Sequence, residues 1–288
     1  MTTITGETQL VGVIGYPVKH SLSPQMHNAA FEALGLNWRY VPLAVRPDRL
    51  PEAVRGLAAA GFRGVNLTVP HKVDVLPLLD SITDVARLID AANTISFEAE
   101  TGALHGTNTD LDGFMRDLDA NGVPITHESK VILLGAGGAA RAISVGLLQA
   151  GAEVVIVNRS VDRAAELVAL LTHNLHGAKV QAVSFDQLAR VSEGAALIVN
   201  ATPLGMWPHV DASSWAEDVP FPAGAVVYDT VYRPARTKLL RDADAAGLRA
   251  IGGIGMLVRQ GAAAFELWTN HGAPVDVMMA ACLKALRE

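Results

Sequence analysis

The run Val131-Ile132-Leu133-Leu134-Gly135-Ala136-Gly137-Gly138-Ala139-Ala140-Arg141 constrains this chain more than any other stretch. Four apolar residues predict a fully buried strand, the glycines a tight turn, and residues 139–149 a helix that Gly151 stops. A strand–turn–helix of this kind accepts a pyrophosphate, because its glycines let the backbone approach and the helix start offers free N–H groups. Ala140 stands where the third glycine of the common fingerprint would be and is small enough for close helix–strand packing. The same turn also serves as a plain strand–helix connection, so the following strand, residues 154–157, carries weight. An NAD site would place a carboxylate at its end. The chain instead reads Asn158, Arg159, Ser160, Val161, Asp162, Arg163. Two guanidinium groups favour a 2′-phosphate, hence NADP. The other reading is a polar helix cap at Ser160 with two surface arginines.

The chain has 288 residues, enough for two modest domains, and is 50% hydrophobic and 18% charged. A net charge of −6 supplies no basic surplus for nucleic acid, and no apolar run approaches a membrane span. One cysteine, Cys282, forms no internal disulfide, and the polar first nine residues lack a secretory pattern. The expectation is a cytoplasmic protein, monomer or homodimer, with a small-molecule substrate.

The predicted architecture is α/β with two domains. Strands at 11–14, 38–43 and 64–68, helices at 24–34 and 50–60, a helix opening around residues 69–72, and a hairpin at 94–97 and 104–107 form an N-terminal α/β domain with a mixed sheet. A helix over 110–120 leads to the glycine turn. Strands then recur at 131–134, 154–157, 180–183, 197–200, 225–228 and 249–251, which predicts a doubly wound parallel sheet, the Rossmann arrangement. That sheet is complete by Ile251, so helices at 256–267 and 275–286 should pack back on the first domain. The expected domains are 1–110 with about 262–288, and 111–261.

Ligands in open α/β sheets bind beyond the carboxyl ends of strands, and the polar groups gather there. Ser21 and Ser23 follow the first strand; both can face one carboxylate, or Ser23 can cap a helix. Lys72 follows the third strand, where an ammonium at a helix start would oppose the dipole; it is a functional cation or a solvated surface lysine. Asn93 enters a strand and Asp110 follows one, the first also readable as a turn amide and the second as a helix cap. A lysine and an aspartate beyond adjacent strand ends can pair, keeping the ammonium charged beside a carbonyl. Thr202 reads as part of a compact turn. The scattered histidines show no metal spacing, and neither a Walker motif nor a nucleophile elbow occurs.

Together these pieces resemble the shikimate dehydrogenase family over nearly the whole chain. The resemblance is carried by Gly15-Tyr16-Pro17, Ser21-Leu22-Ser23-Pro24, Met26-His27-Asn28, Asn66-Leu67-Thr68-Val69-Pro70-His71-Lys72, Ala92-Asn93-Thr94 and Gly106-Thr107-Asn108-Thr109-Asp110. It continues in the glycine turn, Asn158-Arg159-Ser160, Asp229 with Tyr232, Pro234 and Thr237, and Gly255-Met256-Leu257-Val258 with Gln260. It implies that Ser21 and Ser23 bind a substrate carboxylate and that Thr68, Asn93, Tyr232 and Gln260 hold hydroxyls and ring. Lys72 and Asp110 would be the catalytic pair. Gly135, Ala136, Gly137, Gly138, Ala139, Asn158, Arg159, Ser160 and Arg163 would hold NADP, with Asp84, Val231 and Gly253 nearby. The family usually has threonine where this chain has Ser160; the hydroxyl is kept.

The implied activity is reversible NADPH-dependent reduction of 3-dehydroshikimate to shikimate, in aromatic amino acid biosynthesis, with an N-terminal domain for the acid and a second for the cofactor. Quinate oxidation with NAD is the alternative within the family; quinate-oxidising relatives often carry threonine at Ser23 and an acidic residue at the adenosine end. A ligand-sensing relative would lack Lys72, Asp110 or the arginines, all present here. Outside the family, a methylene-tetrahydrofolate dehydrogenase is disfavoured by the serine pair and by the aspartate after Asn108-Thr109.

Overall fold

A computed structural model describes residues 3–287. The chain divides into two compact units, one running to Gly113 and resumed from Leu257 onward, the other spanning Phe114–Met256.

The first unit contains β1 (Gln9–Gly15), α1 (Ser23–Ala33), β2 (Trp38–Ala44), α2 (Leu50–Ala59), β3 (Gly64–Leu67), β4 (Ser81–Ile82), α3 (Asp84–Ile89), β5 (Thr94–Phe97), β6 (Leu104–Thr107) and the first turn of α4 (Asp110–Ala120). Its sheet has the order β2-β1-β3-β5-β6-β4. β1 lies parallel to β2 and β3, β5 runs antiparallel to both β3 and β6, and β4 parallels β6. The sheet is therefore mixed. One core cluster joins Ile14, Val65, Leu67 and Ile95 of the sheet to Leu50 and Val54 of α2.

Residues 69–75 correct the sequence reading. They form successive turns leading into a single 3-10 turn at Leu76–Leu78, with no α-helix after Lys72. Pro70 and Pro77 withhold two backbone donors within this short stretch, which is why no helix propagates. The dipole argument for Lys72 therefore lapses, and its role must rest on its contacts.

The second unit holds the rest of α4, then β7 (Lys130–Leu134), α5 (Gly138–Gln149), β8 (Glu153–Val157), α6 (Val161–Asn174), β9 (Val180–Val183), α7 (Leu188–Ser192), β10 (Leu197–Asn200), β11 (Val226–Asp229), α8 (Lys238–Ala245) and β12 (Arg249–Gly252). All six strands are parallel, in the order β12-β11-β10-β7-β8-β9. The winding reverses between β7 and β10, which opens the crevice where such sheets take ligands. Runs of wholly buried residues such as Val131–Leu134 suit strands covered on both faces.

The chain returns to the first unit within α9 (Ile254–Thr269) and ends with α10 (Val275–Ala285), which packs on α1. The ring of Phe265 lies 5.2 Å from Phe31, and Trp268 donates from Nε1 to the Ile95 carbonyl at 3.1 Å. The last helices thus close the second face of the first sheet.

Candidate active site

In the first unit, a polar cluster forms where β3, β5 and β6 give way to loops and α4. The Lys72 ammonium lies 2.5 Å from Asp110 Oδ2, with side-chain exposures of 15% and 5%. The other carboxylate oxygen of Asp110 accepts from Asn93 Nδ2 at 2.8 Å. Asn93 Oδ1 accepts the Thr109 backbone N–H at 2.8 Å, and Asn93 Nδ2 also reaches Gln260 Oε1 at 3.3 Å. Four of the expected site residues, Lys72, Asn93, Asp110 and Gln260, are therefore joined in one hydrogen-bonded group. Asp110 is the first residue of α4, and its two carboxylate oxygens go to Lys72 and Asn93.

Ser21, Ser23 and Thr68 stand beyond the carboxyl ends of β1 and β3, which pair directly. Thr68 packs so closely on Gly15 that a Cβ there would lie 2.3 Å from its methyl group. Ser23 is the first residue of α1, not its cap, and Pro24 fills the first turn. Its hydroxyl is not consumed by the helix start, and the Ser21 Oγ accepts the Ser23 backbone N–H at 3.3 Å. Asp84 stands exposed in the first turn of α3, a helix capped by Thr83.

In the second unit the expected residues follow four parallel strands. Gly135 has φ +112, and a Cβ on it would meet Thr202 Cγ2 at 2.9 Å and the Ala201 carbonyl at 3.1 Å. The turns after β7 and β10 therefore touch, and only glycine fits. Gly137 caps α5 without any side-chain hydrogen bond, and no atom lies within 4 Å of where its Cβ would stand. Open space in front of uncapped helix N–H groups, with Gly138 and Ala139 in the first turn, suits a diphosphate. Asn158, Arg159 and Ser160 follow β8, with Arg163 in the first turn of α6. Val231 and Tyr232 follow β11 and Gly253 follows β12; a Cβ on Gly253 would come within 2.2 Å of the Thr230 carbonyl.

Two networks carry residues to which the sequence reading gave no role. Asp229, fully buried at the end of β11, accepts from Asn200 Nδ2 (2.8 Å), the Val231 N–H (2.9 Å) and the Thr237 hydroxyl (2.6 Å). Burial pushes its carboxyl up to about 6 against these hydrogen bonds. The carboxylate thereby ties the loop that carries Val231 and Tyr232 to the end of β10. In the first unit, Asn66, Thr94 and Tyr40 form a buried chain behind Asn93. Asn66, Thr94, Asp229 and Thr237 stood in the motifs of the family resemblance without a role, and Tyr40 stood in none. Among the described residues no cluster of histidine, cysteine, aspartate or glutamate could hold a metal ion.

A doubly wound sheet with an open glycine turn in one unit, and a buried lysine–aspartate pair on a mixed sheet in the other, define a two-domain, dinucleotide-dependent α/β oxidoreductase. The chain belongs to the shikimate dehydrogenase family. Three family profiles match it: the shikimate dehydrogenase substrate binding domain over residues 13–95, shikimate/quinate 5-dehydrogenase over 118–205, and the shikimate 5′-dehydrogenase C-terminal domain over 253–283. A shikimate dehydrogenase (NADP(+)) of Methanopyrus kandleri is 46% identical, the match covering 99% of this chain and 98% of the relative. A crystal structure of a shikimate dehydrogenase in complex with NADP+ superposes with a TM-score of 0.91 at 36% identity, covering 100% of this chain and 99% of the other. The Thermus thermophilus enzyme in complex with NADP(H) and shikimate gives 0.85 at 38% identity, covering 97% and 100%.

Proposed function

We propose that this chain is an NADP-dependent shikimate dehydrogenase, interconverting 3-dehydroshikimate and shikimate. The observation that carries the chemistry is the Lys72–Asp110 contact of 2.5 Å, held by Asn93 at 2.8 Å. Full-length similarity to relatives named for this reaction and this cofactor supports the substrate.

The first unit holds the acid. Ser21 and Ser23 take its carboxylate, and Thr68, Asn93, Tyr232 and Gln260 its hydroxyls and ring. Gly135, Ala136, Gly137, Gly138 and Ala139 receive the diphosphate, and Asn158, Arg159, Ser160 and Arg163 the adenosine 2′-phosphate; Asp84, Val231 and Gly253 complete the cofactor contacts. NADPH, when bound, supplies the hydride for the ring carbonyl.

The chain's own task is the charge that then develops on the substrate oxygen. Lys72 stabilises it and delivers a proton there, an effect strongest where water is scarce. Asp110 orients the ammonium. Asn93 fixes Asp110 by filling its other oxygen. The setting is the cytoplasm, as monomer or homodimer; among the described residues no helix is long and apolar enough to cross a membrane.

The test is NADP+ reduction with shikimate and with quinate, repeated with NAD+. Turnover of shikimate with NADP+ is expected to dominate; preference for quinate with NAD+ would overturn the assignment. Lys72→Ala should lower kcat by about 10²–10⁴-fold, the usual range for a positioned proton donor, with little change in shikimate KM. A loss confined to KM would remove the lysine from the chemistry.

A further inference from the structure

The hydrogen-bonded group at Lys72 continues inward through buried side chains, and its direction is forced at both ends. An ionised carboxylate accepts only, so Asn93 must turn its amide nitrogen to Asp110. The Thr109 backbone N–H donates only, so Asn93 Oδ1 must face it. That same oxygen takes the Thr94 hydroxyl proton at 3.0 Å. With its one proton committed, Thr94 Oγ1 accepts from Asn66 Nδ2 at 2.9 Å. Asn66 Oδ1 is then left needing a donor, and it receives the Tyr40 hydroxyl at 2.7 Å. Tyr40, Asn66, Thr94 and Asn93 are 2%, 6%, 0% and 1% exposed, so solvent is a poor substitute for any link.

We propose that Tyr40 is a positioning residue for the catalytic pair: its hydroxyl anchors a one-way hydrogen-bond chain, Tyr40 to Asn66 to Thr94 to Asn93 to Asp110, that fixes the amide facing the carboxylate beside Lys72. The ring is held for this task, stacked on His27 at 4.3 Å and 3° between planes. Without the hydroxyl, Asn66 Oδ1 is stranded in a buried place. Half a turn of the Asn66 amide would relieve it by facing Thr94, but that draws the Thr94 proton away from Asn93. Asn93 loses a restraint, and with it the register between Asp110 and Lys72.

The inference rests on the catalytic reading of Lys72 and Asp110, which the wild-type assay tests separately. The decisive measurement is steady-state kinetics of Tyr40→Phe well below its Tm. We expect kcat/KM for shikimate to fall about tenfold, the effect of one lost hydrogen bond on a barrier, with KM for NADP+ changed less than about twofold. In an Asn66→Ala background the same substitution should change kcat/KM by less than about twofold, because the link it breaks is already gone. Thr94→Val should reproduce the loss and Thr94→Ser should escape it. Phe31→Leu, which loosens the same aromatic packing without touching the chain, should lower Tm and spare kcat/KM. The inference is overturned if Tyr40→Phe keeps wild-type kcat/KM, if it costs as much in the Asn66→Ala background, or if Phe31→Leu matches it. A wild-type chain inert toward shikimate takes the functional reading down with it; an active wild type with a silent Tyr40→Phe removes only this inference.

Discussion

Gly137 and Gly135 stand two residues apart and are glycines for different reasons. Gly135 has a positive φ and a neighbour at 2.9 Å, so a side chain there disturbs the protein itself. Gly137 has an ordinary φ of −89 and empty space where a side chain would go. Nothing in the protein itself requires it to be small. Gly137→Ala should therefore lower Tm by no more than a few degrees, the cost of alanine at a helix cap, while raising KM for NADP+ at least about tenfold, because a methyl group would stand where the proposed diphosphate approaches. Thermal unfolding and NADP+ titration on one sample check both halves; a drop in Tm with unchanged NADP+ affinity would turn the glycine into a folding residue. Asp229 shows the complementary pattern. It touches only its own protein, and its three donors hold a loop in place.

The helices α4 and α9 meet through a glycine. A Cβ on Gly113 would stand 2.8 Å from the backbone nitrogen of Gln260, nearer than real Cβ atoms approach. Gly113→Ala should push α9 outward and take the Gln260 side chain from Asn93. The expected outcome is a loss of about 1–3 kcal/mol in stability, the usual cost of overpacking, with raised shikimate KM and unchanged NADP+ affinity. Denaturant unfolding and kinetics together measure it. Much at this scale was legible beforehand. The six parallel strands announced themselves as buried apolar runs, and glycines punctuated the helices, since both signals are local. What escaped was local weakness or distant partnership. The two-residue β4 leaves no pattern. The stretch after Val69 looked helical until two prolines and the turns between them decided otherwise. Lys72 and Asp110 could be paired in advance because strand ends converge, whereas Asn93 read only as a turn amide or a substrate contact and its bond to Asp110 is seen in the structure alone. Tyr40 could not be joined to Asn66, because a hydrogen bond across 26 positions has no sequence signature.

The two units carry opposite responses to acid. In the first, His27 is fully buried with neither ring nitrogen hydrogen-bonded, and burial lowers it from 6.5 to about 3. The unfolded chain takes up that proton first, so stability from this site is lost as pH falls below 6.5 toward 3. In the second, Asp229 is raised from 3.8 to about 6, so the folded state holds its proton longer, and stability from this site is lost as pH rises through that window. Calorimetry between pH 4 and 7 should show His27→Phe flattening the acid loss and Asp229→Asn removing the opposing trend. Identical pH dependence in wild type and both variants would contradict the burial argument. The order of the chain has one more consequence. The second unit is inserted into the first, entered within α4 and left within α9. During translation all six strands of the second unit leave the ribosome while the first still lacks α9 and α10. That earlier-synthesised sheet must wait, one face covered only in part by α1, for Trp268 and Phe265 to emerge. A nascent chain cut short near residue 256 would carry a whole nucleotide fold and an unfinished first unit, a natural substrate for chaperones and proteases.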